Sequence, residues 1–237
     1  MSTVAVAIIC KTPISGASKT RLSPPLRPDE CAAISACFIR DLSKTIESLA
    51  GDGDVTGYAV YTPRGSEAAL QRLLPAGFKL VPQIDGDFGE RLLQAAIGVL
   101  QAGHAGALLL NSDSPTLPKA ILRQAVDAVR RGDSVVLAPA FDGGYTLIGL
   151  SKPHARLFAN IPWSTSDVYE RTLDRAREIG LPVVNVPCWY DVDDASSLEM
   201  LEAELAGERP PFAAADLIGA EAPATRQFMR ARQSAVT

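Results

Sequence analysis

Val4-Ala5-Val6-Ala7-Ile8-Ile9-Cys10 runs directly into Lys11-Thr12-Pro13-Ile14-Ser15-Gly16-Ala17-Ser18-Lys19-Thr20-Arg21-Leu22, and this junction decides how the chain is read. An unbroken apolar run suits a strand buried on both faces, and the loop behind it carries a glycine, two lysines and an arginine. In α/β proteins ligands sit beyond the carboxyl ends of the strands. Small residues there let the backbone approach phosphate oxygens, and cations offset their charge. Lys11, Gly16, Lys19 and Arg21 are therefore candidate phosphate ligands. Taken alone, the loop reads equally well as a solvated basic turn. It is not the NTPase P-loop, which needs glycine immediately before the lysine and another five residues earlier. Here Ser18 precedes Lys19, and the upstream place falls at Thr12-Pro13.

The remaining strand candidates follow at intervals: Gly57–Tyr61, Lys79–Pro82, Ala107–Asn111, Ser134–Pro139, Tyr145–Leu150 and Val183–Pro187. Helical spacing separates them. Ile34, Cys37, Phe38, Leu42, Thr45 and Leu49 share one face; Phe88, Leu92, Ala95, Ala96, Val99 and Leu100 share another; Leu117, Ile121, Leu122, Ala125 and Val129 form a third. Asp29 and Ser166 are expected N-caps, and Gly103, Gly132 and Gly180 expected stops. Alternation of this kind implies a mostly parallel sheet with helices on both faces. Residues 1–206 are expected to form that domain. Residues 207–237 change to Ala, Pro and Arg with little periodicity, which predicts a loosely packed extension with one short helix near Ala224–Gln233.

At 237 residues with 47% hydrophobic and 21% charged residues, the chain has ample material for one core. A net charge of -4 argues against nucleic acid or an anionic membrane as a partner. The cysteines Cys10, Cys31, Cys37 and Cys188 show neither C-x-x-C nor zinc spacing, and read as free thiols of a reducing compartment. With no leader-like segment and no membrane-length apolar run, the expected location is the cytoplasm. The sequence leaves the oligomeric state open, with a homodimer as one option.

Four later segments could carry chemistry. Leu110-Asn111-Ser112-Asp113-Ser114-Pro115 puts a carboxylate at the end of a buried strand, a common way to hold Mg²⁺ or Mn²⁺ against a diphosphate; an Asx-turn or N-cap is the plainer alternative. In Trp189-Tyr190-Asp191-Val192-Asp193-Asp194, Asp194 can cap the next helix, while Asp191 and Asp193, two apart, could complete a metal site. Ala140-Phe141-Asp142-Gly143-Gly144-Tyr145 reads first as a tight turn between strands, and its glycines would also let a ligand pack on bare backbone. Gln83-Ile84-Asp85-Gly86-Asp87-Phe88-Gly89-Glu90-Arg91 is a Gly-broken polar loop before a helix, with Gly86 a further candidate at the nucleotide. His104 and His154 have no partners at ligand spacing. No G-x-S-x-G and no G-x-G-x-x-G stands after the first strand, which removes the α/β-hydrolase and dinucleotide-binding readings.

The ordered set Lys11…Gly16…Lys19-Thr20-Arg21, Gln83…Gly89-Glu90-Arg91, Ser112-Asp113-Ser114-Pro115, Asp142-Gly143-Gly144-Tyr145, Ile161-Pro162-Trp163 and Asp191-Val192-Asp193 resembles the DUF2064 family over about Val4 to Leu205. Its members are small GT-A-fold proteins described as nucleotide-diphospho-sugar transferases, some linked by name to arsenosugar biosynthesis. Molybdenum-cofactor and 2-phospholactate guanylyltransferases are more distant relatives of the same architecture. The resemblance implies a nucleotide diphosphate on the first loop with Lys19 and Arg21 on its phosphates. It also implies that Asp113 stands in the metal-binding acidic position. Asp113 is followed by Ser114 and Pro115, not by the second acid of an Asp-x-Asp, so Asp193 or Asp191 would be its partner.

The expected activity is glycosyl transfer from a nucleotide sugar to a small-molecule acceptor, assisted by Mg²⁺ or Mn²⁺. Asp113 and Asp142 are the expected catalytic residues, Asp142 as the group that orients or deprotonates the acceptor. Gly143, Gly144 and Trp163 are expected against the substrate. The alternatives are a nucleotidyltransferase that uses an NTP and releases pyrophosphate, and a non-catalytic nucleotide-binding protein.

Overall fold

A computed structural model describes residues 3–50 and 53–236. The opening run forms β1 (Val4–Lys11) inside a seven-stranded sheet. On one side of it lie β2 (Val55–Thr62) and β3 (Lys79–Pro82); on the other lie β4 (Gly106–Asn111), β6 (Tyr145–Leu150), β5 (Val135–Pro139) and β7 (Val183–Asn185), giving the order β3-β2-β1-β4-β6-β5-β7. All seven strands stand where the sequence places them, within two residues at either end. Only β6 runs against its neighbours, pairing Leu109 with Ile148 across β4 and Leu137 with Ile148 across β5.

Alternation along β1 divides the core into two layers. Val4, Val6 and Ile8 point to the face covered by α1 (Pro28–Ala50) and α4 (Lys119–Arg130), where Phe38, Leu42, Ile121 and Leu122 meet them. Ala5 and Ala7 point to the other face, under Leu92, Ala95, Ala96 and Val99 of α3 (Phe88–Gln101) and Ala176 of α5 (Val168–Glu178). The small β1 residues on this second face leave room for α3 to sit close to the sheet. The short α2 (Glu67–Gln71) adds Leu70 to the first layer.

Helix ends bear out part of the sequence reading. Gly103, Gly132 and Gly180 all follow helix ends with positive φ, as left-handed stops do. Asp194 closes a capping box with Ser197 at the start of α6 (Ala195–Ala206). Asp29 lies inside the first turn of α1, because the helix begins one residue earlier at Pro28, the position that proline favours. Ser166 caps nothing; Asp167 flanks α5 and makes no side-chain cap bond.

The tail differs most from expectation. Residues after α6 return along the first layer, burying Leu217, and α7 (Pro223–Val236) packs on α1 through Thr225 and Met229. Asp41, buried on α1, accepts from the Ala224 and Thr225 amides at 2.9 and 2.8 Å and from Thr225 Oγ1 at 2.7 Å. A helix N-terminus leaves amides without intrahelical partners; here a carboxylate from another helix supplies them. The extension is packed into the core, and no period shows it in the sequence because its anchors Leu217, Thr225 and Met229 are spaced irregularly.

Among the described residues, no helix is long and apolar enough to cross a membrane.

Candidate functional site

Topology brings the acidic and basic segments to one end of the sheet. The carboxyl ends of β1, β2, β3 and β4 point the same way. Because β6 is reversed, the turn between β5 and β6 also falls at that end, carrying Asp142 with it. The segment after β7 then crosses over: Trp189 bridges Ala140, and Val192 N donates to Asp113 O at 2.9 Å. These elements line a cleft of about 720 Å³.

Lys11, Lys19, Arg21, Asp113, Asp142, Gly144, Trp163, Asp191 and Asp193, all expected site residues, line it. Gly16 and Gly86 do not; both are exposed turn residues with positive φ. Gly143 also stays outside the lining and has a packing role. Its φ is +90°, and a β-carbon there would meet the Ser166 carbonyl oxygen at 2.2 Å. Only glycine lets the β5–β6 turn lie against the loop before α5.

The first loop folds on itself. Ser18 N and Ala17 N both donate to Ile14 O at 3.0 Å, and Ile14 N donates back to Ser18 Oγ at 2.9 Å. Lys11 Nζ bonds the Ala17 carbonyl at 3.0 Å and stays exposed. Lys19 then takes a left-handed conformation, φ 49° and ψ 40°, which turns its side chain inward. Nζ lies 2.8 Å from Asp113 Oδ1 and 2.8 Å from Asp193 Oδ1, and donates to Val192 O at 2.8 Å. Burial works against its charge, but Asp113 and Asp193 more than offset it, and the Lys19 pKa is raised. The ammonium expected on a phosphate instead has all its protons on protein oxygens. Arg21 Nη2 holds the other oxygen of Asp193 at 2.6 Å, with most of its side chain in solvent.

Asn111, which sequence reasoning did not assign, organises the carboxylates. Its Oδ1 accepts from Asp113 N at 3.3 Å and Ser114 Oγ at 3.0 Å, and its Nδ2 reaches Asp191 Oδ2 at 3.3 Å. Burial, then the charges of Asp142, Asp193 and Asp113, push the Asp191 carboxyl up to about 7. Asp142 is the exposed member, its Oδ1 accepting from Gly144 N at 2.9 Å. The Cys10 thiol on the cleft floor is pushed up to about 12 by burial and by Asp113, which leaves it unreactive.

The wall opposite comes from the Gln83–Arg91 segment. Gln83 is buried, donating to Cys10 O and Val60 O and accepting from Arg91 Nη1 at 3.1 Å. Arg91 Nε is buried without a partner, and its guanidinium lies 5.4 Å over the Phe88 ring. Phe88, expected on the buried face of α3, is 37% exposed and packs edge-on against Trp163 at 5.0 Å. Gly89 lets α3 lie against the segment from Phe158 to Trp163: a β-carbon there would fall 2.4 Å from Phe158 O and 3.1 Å from Trp163 Nε1. The signal for Arg91 in the sequence was its place at the end of a polar segment and in the Gln83…Arg91 motif of the family resemblance.

Asp113, Asp191 and Asp193 do not form one metal cage. Among the described residues, no three His, Cys, Asp or Glu groups are arranged to hold a metal ion, and an ammonium stands between two of the three carboxylates.

A family model for an uncharacterized protein conserved in bacteria, DUF2064, matches residues 45–165. No curated protein matches the chain. Among solved structures it is similar to one from Desulfovibrio desulfuricans G20, described provisionally as a nucleotide-diphospho-sugar transferase. The identity is 26%, over 99% of this chain and 96% of that one, with a TM-score of 0.81. A CMP:2-keto-3-deoxy-manno-octonic acid synthetase complexed with CTP is 13% identical, over 88% of this chain and 100% of the other, with a TM-score of 0.56. A cytidylyltransferase from Leptospira borgpetersenii is 12% identical, over 99% and 96%, with a TM-score of 0.53. The last two share the fold.

Proposed function

The chain belongs to the DUF2064 family, and we propose that it is a transferase that binds a nucleotide-activated sugar in this cleft and passes the glycosyl group to a small-molecule acceptor. One observation carries the reading: a basic loop after β1 and the carboxylates of Asp113, Asp142, Asp191 and Asp193 line a single cleft at the carboxyl end of the sheet. The similarity to the Desulfovibrio protein over nearly the whole chain supports it.

The diphosphate lies along the first loop, where Arg21 and Lys11 are the cations with side chains open to solvent. As the acceptor's nucleophilic atom attacks the anomeric carbon, the bond to the diphosphate breaks and its electron pair moves onto the leaving oxygen. Arg21 and Lys11 stabilise that growing charge. The acceptor's proton passes to Asp191, whose carboxyl at about 7 is ionised in a large fraction of molecules at neutral pH yet holds a proton well. Asp142, given the acceptor role from sequence, acts through its charge on Asp191. Arg91 faces the bound ligand from the cleft wall, with Trp163 and Phe88 as the apolar surface beside it. The donor set does not fit a preformed Mg²⁺ or Mn²⁺ site, so these steps run on the chain's own groups.

The test is a thermal-shift panel of UDP-, GDP-, CDP- and dTDP-sugars and of NTPs, followed by product analysis of any hit. A ligand that binds the folded state raises the melting temperature. Release of a nucleoside diphosphate supports glycosyl transfer. Release of pyrophosphate identifies a nucleotidyltransferase, and a flat panel refutes both.

A further inference from the structure

The carboxylates that the sequence reading assigned to a metal already hold a cation, and it is the chain's own. Lys19 Nζ sits at 2.8 Å from both Asp113 Oδ1 and Asp193 Oδ1, and its third proton goes to the Val192 carbonyl. Its side chain is 8% exposed and runs past the Phe38 ring, 5.8 Å from Nζ. A lysine on the surface reaches for a carboxylate in many ways; this one is aimed. Its backbone adopts the left-handed conformation that only a few per cent of non-glycine residues take, and the closed turn before it fixes the starting point of the side chain.

The acceptors are held independently of the lysine. Val192 N is bonded to Asp113 O, which ties the two acidic segments together. Asp193 N donates to Ser197 Oγ, and Arg21 holds the second carboxylate oxygen of Asp193. Two carboxylates kept this close would repel unless a cation lay between them.

We infer that Lys19 is the resident cation of the Asp113–Asp193 pair, standing where a divalent ion would bind, and that removing its charge opens a divalent-cation site. A hard cation needs the same carboxylate oxygens at about 2.0–2.2 Å. It and the ammonium cannot share that space. To enter, a free ion has to break three charge-assisted bonds and displace a buried ammonium. Once the charge is gone, two carboxylates remain against Arg21 alone. Two carboxylates with waters completing the shell are an ordinary magnesium-type arrangement.

The test uses metal alone, so its outcome is independent of the transferase reading. Mn²⁺ is titrated into the wild-type protein, Lys19→Gln and Lys19→Gln/Asp113→Asn, and the unbound ion is followed by its electron paramagnetic resonance signal. Lys19→Gln should bind one Mn²⁺ at least about tenfold more tightly than wild type, and the double variant should lose that gain. Equal affinity in wild type and Lys19→Gln overturns the inference, as does a Lys19→Gln protein that gains no binding. If circular dichroism shows that Lys19→Gln does not fold, wild type and Asp193→Asn decide between them. A one-to-one Mn²⁺ complex in wild type that Asp193→Asn abolishes overturns the inference; Mn²⁺ binding indifferent to that substitution supports it.

Discussion

Asp191→Asn should stabilise the protein above neutral pH and bring progressively less benefit as the pH falls toward 4. The Asp191 carboxyl is pushed from an ordinary 3.8 to about 7 by burial and by three neighbouring carboxylates. The folded protein therefore holds this proton more tightly than the unfolded chain does. That linkage contributes stability fully below 3.8 and loses it as the pH rises through about 7. Roughly three pH units at about 1.4 kcal/mol each set an upper bound near 4 kcal/mol. Asp191 lines an open cleft, and water there screens the repulsion, which brings the expected gain to about 2 kcal/mol. Asparagine keeps the shape, can accept from Asn111 Nδ2 and carries no charge to desolvate. Urea unfolding of both proteins across about pH 5 to pH 8, with equal m-values, measures the difference. It should grow up to about pH 7 and level off above that. A difference that is constant with pH, or a variant less stable than wild type at high pH, would refute the argument.

Other changes separate the roles assigned above. Arg21→Ala should weaken a nucleoside diphosphate by about tenfold or more and leave the bare nucleoside nearly unchanged, measured by calorimetric titration; equal losses remove the phosphate role. Gly143→Ala should cost about 3 kcal/mol or more in thermal unfolding, because its β-carbon meets rigid backbone at Ser166 and its φ is +90°. Asp41→Ala should cost about 2–3 kcal/mol and expose α7 to proteolysis, since it leaves the Ala224 and Thr225 amides without their acceptor. Arg91→Ala should raise the KM for one substrate and cost about 1–3 kcal/mol in thermal unfolding, because the buried Gln83 Oε1 loses its donor.

Much of the candidate site was legible because local chemistry points to it. Apolar runs that stop at polar, glycine-bearing loops locate strand ends, and strand ends locate ligands in α/β folds; this placed Lys11, Lys19, Arg21, Asp113 and the Asp191–Asp193 pair on one cleft. Asp142 required the β5–β6 hairpin. The sequence reading had the turn, and reversal of β6 is what carries it to the same end of the sheet. Gly16 and Gly86 lie outside the cleft lining, and their positive φ gives them a turn role, since glycine marks positive φ as readily as it marks a ligand.

The sequence by itself determined the strands, the alternating helices and the end of the sheet where chemistry collects, since hydrophobic period and turn residues act over a few neighbours. The tertiary structure alone decided who pairs with whom. Lys19 meets Asp193 across 174 positions, and Asp41 caps a helix that begins 182 residues later at Pro223. Such partners are chosen by which surfaces the packed layers bring together, and no local pattern records that choice. The same basic loop that reads as a row of phosphate ligands therefore divides in three dimensions. Arg21 remains at the cleft mouth, and Lys19 turns inward to neutralise two carboxylates that burial would otherwise set against each other.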